Sequence, residues 1–234
     1  MGVLGGIWHR AITTQPAPSA AVVAGTAVAA AALVLVPSAW RTTRHLVTIA
    51  HEGAHGVAAL LSGRRLAGIR LHSDTSGLTL SRGRRTGPGM VITALAGYSG
   101  PGVIGLASAA LLGTGHAVGL LWALLLLLGL LLLQIRNWFG LWAVLATGAA
   151  VFAVSWWLPE TTQSAFAYFV TWFLLVAAPR PVLELQAMRR RGRAGDSDAD
   201  QLARLTHLPG LFWVGVFLAV TVGALLGGMS VLLT

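Results

Sequence analysis

The chain has 234 residues, of which 56% are hydrophobic and only 10% charged, with a mean hydropathy of +0.75. A soluble domain carries about a quarter charged residues, so a soluble enzyme or binding module is excluded and an integral membrane protein is implied. The formal charge of +9 comes from arginine without a single lysine, and there is no cysteine. Disulfides, thiolate ligands and a cysteine nucleophile are therefore excluded, and any metal must be held by His, Asp, Glu or water.

The first apolar run, 19–40, is long enough to cross a bilayer. Ala30, Ala31 and Ala32 also resemble a signal-peptide cleavage site, but the length of the run and the single Arg10 before it favour a retained span. A shorter run, 46–62, carries His51-Glu52-Gly53-Ala54-His55. Residues 64–86 then alternate in Leu66-Ala67-Gly68-Ile69-Arg70-Leu71-His72 and again in Leu78-Thr79-Leu80-Ser81. With Asp74-Thr75-Ser76-Gly77 between them as turn chemistry, they read as a β-hairpin.

Further apolar runs follow at 87–113, 115–135, 138–158, 163–183 and 209–233. The first of these contains Ala96-Gly97-Tyr98-Ser99-Gly100-Pro101-Gly102, where close helix packing is expected. A polar loop, 189–207, opens on an arginine cluster, and its Ser197 or Asp198 is placed to cap a short helix through Leu205. The expectation is an all-α polytopic membrane protein forming a single domain over 1–234. It has about seven transmembrane helices and a short cytoplasmic β-hairpin after the motif helix.

With the N-terminus in the cytoplasm and the C-terminus outside, only Arg41 and Arg44 of the sixteen arginines fall outside. That asymmetry sets the orientation of a multi-pass protein in the cell membrane. The arginines flank apolar spans rather than forming a stripe interleaved with aromatics, so no nucleic-acid partner is expected.

The chemistry centres on His51, Glu52 and His55. Residues four apart share a helix face. Two imidazoles so placed can take two corners of a tetrahedral metal, with Glu52 beside them to act as a general base on water. Ionisable side chains in hydrocarbon cost several kcal/mol or more unless ligated, paired or solvated, and three lie together here.

A catalytic zinc also needs a third protein ligand. The acidic residues besides Glu52 are Asp74, Glu160, Glu184, Asp196, Asp198 and Asp200. Glu160 lies on the wrong side. Glu184, near the cytoplasmic end of an apolar helix, is either a ligand or the partner of Arg180 four residues before it. Asp198 is the alternative, and requires its loop to fold back onto the membrane domain. His9, His45, His116 and His207 read as structural, whereas His72 in the hairpin keeps a possible functional role.

These features together resemble the site-2 protease family of intramembrane zinc metallopeptidases, in a compact branch without PDZ domains. The resemblance rests on His51-Glu52-Gly53-Ala54-His55, the hairpin after it, Ala96-Gly97-Tyr98-Ser99-Gly100 and Ser197-Asp198-Ala199. It implies one zinc per chain, Glu52 as the catalytic base and hydrolysis of membrane-protein or peptide substrates within the lipid bilayer. The family's Asn-x-x-Pro motif and its following Asp-Gly are represented only by Asn137. Asn137-Trp138-Phe139-Gly140 lacks the proline, and no acid follows before Glu160. The resemblance thus implies substrate binding at Asn137 and transfers the third ligand to Glu184, with Asp198 as the alternative. The opposed reading is an inactive membrane scaffold that retains the motif.

Overall fold

The computed structural model describes residues 2–192 and 196–234, so Arg193 and Gly195 of the expected cytoplasmic loop lie outside the described residues. In chain order the helices are α1 (Val3–Ile12), α2 (Ala20–Leu35), α3 (Pro37–Leu61), α4 (Pro88–Gly113), α5 (Ala117–Leu132) and α6 (Trp138–Trp157). They continue as α7 (Glu160–Ala177), α8 (Pro179–Arg190), α9 (Asp198–Thr206) and α10 (Gly210–Leu232). Two strands, β1 (Arg65–Leu71) and β2 (Gly77–Arg82), pair antiparallel after α3, as the alternation predicts.

Four to five of the expected seven spans are long and apolar enough to cross a membrane. By length and composition, α4, α6, the continuous run Glu160–Arg190 and α10 can each cross a membrane. The pair α2 and α3, bent by 100°, makes a fifth where the two are counted as one broken span. The sequence reading took 19–40 and 46–62 as two spans, yet they belong to one bent run. Its cause is local: Val36 precedes Pro37, whose ring disfavours the helical region for the residue before it, and Val36 is extended at φ −75° and ψ 118°. The run at 115–135 yields only the 16-residue α5, because the chain leaves the helix to pair with the hairpin.

The bend also changes which ends of the chain meet. The Gln15 N–H donates to Gly115 O at 2.8 Å, and the Gln15 side chain accepts from Val118 N. Ala17 and Pro18 share a cavity with Thr114, Leu233 and Thr234. Residues 15–18 and the last residues of the chain therefore lie together beside the α4–α5 connection.

Two buried clusters support the site. The larger joins α2, α3, α4, α5 and α7 through residues such as Val34, Trp40, Leu121 and Leu175. The second packs Ala199 and Leu202 of α9 against Ala94, Val182, Leu185 and Phe217, so the short polar α9 is seated on α4, α8 and α10. Four residues complete the hairpin from its far side. Ile69 N donates to Gln134 O at 2.8 Å and Ile69 O accepts from Arg136 N at 2.9 Å, so the α5–α6 connection lies parallel along β1.

Candidate metal centre and base

His51 and His55 sit one turn apart on α3, and their Nε2 atoms lie 3.1 Å from each other. His55 Nδ1 is 2.7 Å from the carbonyl of Thr93 on α4. A carbonyl only accepts, so Nδ1 carries the proton and the Nε2 lone pair faces inward, the usual arrangement behind a ligating imidazole. The His51 ring meets His55 and Tyr98 edge-on, at centroid distances of 4.7 and 4.8 Å, and Tyr98 in turn leans on Phe217. These contacts fix the His51 ring plane.

Asp198 comes from the other end of the chain. Ser197 caps α9 and forms a reciprocal capping box with Asp200, which satisfies helix-end donors from both directions. Asp200 is also ion-paired with Arg189 at the end of α8. Burial would raise the Asp200 pKa, but the Ser197 and Arg189 hydrogen bonds outweigh it and hold the carboxyl below its ordinary range. The capped helix therefore has a fixed start, and Asp198, its first residue, faces the histidines. Asp198 Oδ2 is 3.3 Å from His51 Nε2 and 3.2 Å from His55 Nε2.

Three ligand atoms thus form a nearly equilateral triangle. Tetrahedral zinc with bonds of about 2.0–2.1 Å separates its ligands by about 3.3 Å, so the triangle has the size of one tetrahedral face. Asp198 Oδ2 is buried and accepts no hydrogen bond. A buried acceptor without a donor requires an explanation, and a cation against two inward imidazole lone pairs supplies one. Two His and one carboxylate form a donor set that suits zinc.

Gly97 leaves the space these atoms occupy. A Cβ there would fall 2.3 Å from His55 Nε2 and 2.7 Å from Asp198 Oδ2. One turn further along α4, a Cβ on Gly100 would fall 2.3 Å from the Ala54 Cβ. The glycine cluster expected to serve packing therefore does so at the motif helix itself, and Gly97 also forms the wall of the ligand triangle.

Glu52 points the other way, toward the hairpin, and is 4% exposed. Thr79 Oγ1 donates to its Oε2 at 2.6 Å and lies 3.1 Å from its backbone carbonyl. Gly77 faces the same side chain, since a Cβ there would fall 2.5 Å from Glu52 Cγ. Thr48, one turn before Glu52, donates to Thr75 O in the hairpin turn at 2.9 Å. The hairpin is therefore fastened over the motif helix at both levels.

A family model described as peptidase M50B-like matches residues 24–228. The chain belongs to the peptidase M50B-like family. Its apolar helices and this membership make it a multi-pass membrane protein. No curated protein and no solved structure matched the chain.

Within this M50B-like chain the sequence-derived candidates separate. His51, His55 and Asp198 come together with their ligand atoms within 4.8 Å of one another, and Glu184 is not among them. Glu184 Oε1 accepts from Trp40 Nε1 at 2.8 Å and Arg180 Nε at 3.2 Å, while Oε2 lies 3.2 Å from Arg44 Nη2. The Arg180 guanidinium stacks over Trp40, 4.6 Å from its ring centroid. Of the two roles open to Glu184, the structure thus has the ion pair with Arg180.

Asn137 is likewise engaged within the fold. Its Nδ2 donates to Leu71 O at 2.6 Å, and its Oδ1 accepts from Leu71 N at 3.2 Å. The side-chain amide thus pairs with β1 as a strand backbone would. His72 lies in the hairpin turn, with Nδ1 3.2 Å from Ser76 Oγ. Thr79, Gly77 and the Thr93 carbonyl escaped the sequence reading. The hairpin's period-two alternation, which puts Gly77 and Thr79 on one face, was the signal available for the first two.

Proposed function

We propose that this chain is an intramembrane zinc metallopeptidase that hydrolyses peptide bonds of membrane-embedded substrates. The observation that carries the reading is the triangle of His51, His55 and Asp198, with an unbonded buried carboxylate oxygen at one corner. These three residues would hold one zinc per chain. When bound, zinc supplies Lewis-acid polarisation of the scissile carbonyl and makes water acidic enough to be deprotonated near neutral pH.

Glu52 takes the proton of the attacking water and returns it to the leaving amine. Thr93 keeps His55 in the tautomer that a ligand must have. β2 pairs only with β1 among the described residues, so its other edge is open to a segment of substrate unwound from a transmembrane helix. Such a segment would pair by main-chain bonds, a recurring mode of peptide recognition.

Arg64, Arg65, Arg70, Arg82, Arg84, Arg85 and Arg136 gather around the hairpin. The arginine bias supports a cytoplasmic position for that end.

The test uses purified, zinc-replete protein and a fluorogenic library of transmembrane-segment peptides. The wild-type chain cleaves members of the library. Glu52→Gln keeps the shape and removes the base, so cleavage falls by about 100- to 10,000-fold with zinc content unchanged. Equal cleavage by Glu52→Gln would contradict the assignment.

A further inference from the structure

The base in this site is held by a residue of the strand that would receive the substrate. Thr79 Oγ1 donates to Glu52 Oε2 at 2.6 Å. This is a charge-assisted bond, which is shorter and about twice as strong as a neutral one. The bare Cα of Gly77 closes the other side of the carboxylate. Glu52 Oε2 accepts from Thr79, whereas Oε1, which lies against Gly77, has no protein donor among the described residues, so one carboxylate oxygen is anchored and the other is left for the reacting water.

The register of the hairpin gives Thr79 a second role. Thr79 lies opposite Ile69, and the N–H and C=O of Ile69 are both engaged with the α5–α6 connection. In an antiparallel ladder a residue whose backbone groups point away from its partner strand belongs to a non-hydrogen-bonded pair. The N–H and C=O of Thr79 therefore point to the free edge of β2, where an added strand would bind.

We propose that Thr79 is a positioning residue that couples substrate pairing to the orientation of the general base. A strand added along β2 fixes the backbone of Thr79. Its β-branched side chain has restricted χ1 freedom, so the hydroxyl direction is fixed with it. The Thr79–Glu52 bond is already made with the edge of β2 free, and a peptide paired on that edge would hold Glu52 in the same orientation, with Oε1 toward the reacting water. This inference rests on the metallopeptidase reading above and adds to it the device that sets the base.

The experiment compares Thr79→Val, Thr79→Ser and Gly77→Ala with the wild-type chain, measuring zinc content, kcat and KM on the transmembrane-peptide library. Thr79→Val keeps the strand backbone and removes the donor. It lowers kcat by about 10- to 100-fold, with KM and bound zinc unchanged, and Thr79→Ser restores most of the loss. Gly77→Ala pushes a methyl group into the carboxylate and lowers kcat in the same direction, with zinc retained.

A Thr79→Val chain as active as wild type, or a Thr79→Ser chain as impaired as Thr79→Val, overturns this inference and leaves the peptidase reading standing. A wild-type chain that binds no zinc, or cleaves nothing in the library, overturns both.

Discussion

Glu184 and Asp198 are both carboxylates packed beside the motif helix, and they differ in the company they keep. Glu184 is met by an indole N–H and two guanidinium groups, so the protein itself satisfies its charge, and the cluster ties α8 to the first turns of α3. Asp198 is the more sheltered, its side chain 15% exposed against 30% for Glu184, and its Oδ2 meets only two imidazole nitrogens. A carboxylate facing fixed guanidinium groups stabilises a fold, whereas one facing only imidazole nitrogens is a candidate ligand. The contrast shows that nearness to the motif does not identify a candidate ligand. The charge and chemistry of what faces the carboxylate do.

The comparison can be broken most forcefully at Gly97. Gly97→Ala places a methyl group within 2.3 Å of His55 Nε2 and 2.7 Å of Asp198 Oδ2, so bound zinc falls by at least about tenfold, a loss of about 1.4 kcal/mol or more. Elemental analysis after dialysis against a weak chelator reads it, and full retention of metal would show that the triangle is not the site. Glu184→Ala tests the other region. It removes the acceptor of Trp40, Arg44 and Arg180 and lowers stability by about 1–3 kcal/mol, read as a lower unfolding temperature in detergent. Ser197→Ala sharpens the contrast with the smallest change. It removes the cap of α9 at about 1 kcal/mol and weakens zinc binding severalfold by loosening Asp198 without altering a ligand.

Much of this was legible in the sequence. The spacing of His51 and His55, the turn chemistry between the strands and the cap at Ser197 are local signals, and local physics determines them. α9 begins at Asp198 because Ser197 and Asp200 cap each other, and both residues are visible in the chain.

The choice between Glu184 and Asp198 as candidate third ligand was not legible, because it depends on how α9 packs against Ala94, Val182 and Phe217, contacts that no periodicity encodes. The family resemblance favoured Glu184, while its partners Trp40 and Arg44 lie far away in sequence. The span count departs from the helices for a different reason. Hydropathy registers length and apolarity but not direction, so the 100° turn at Val36 was invisible to it, although Pro37 marked the place. The pairing of 134–137 with β1 was hidden too, since four residues are too few to show an alternation.

The most direct measurement is the zinc content of purified wild-type, Asp198→Ala and Glu184→Ala proteins prepared without chelators and with metal supplied. About one zinc per chain in the wild type and in Glu184→Ala, with loss in Asp198→Ala, is the predicted result. Zinc retained by Asp198→Ala and lost from Glu184→Ala, or no zinc in the wild type, would contradict the account.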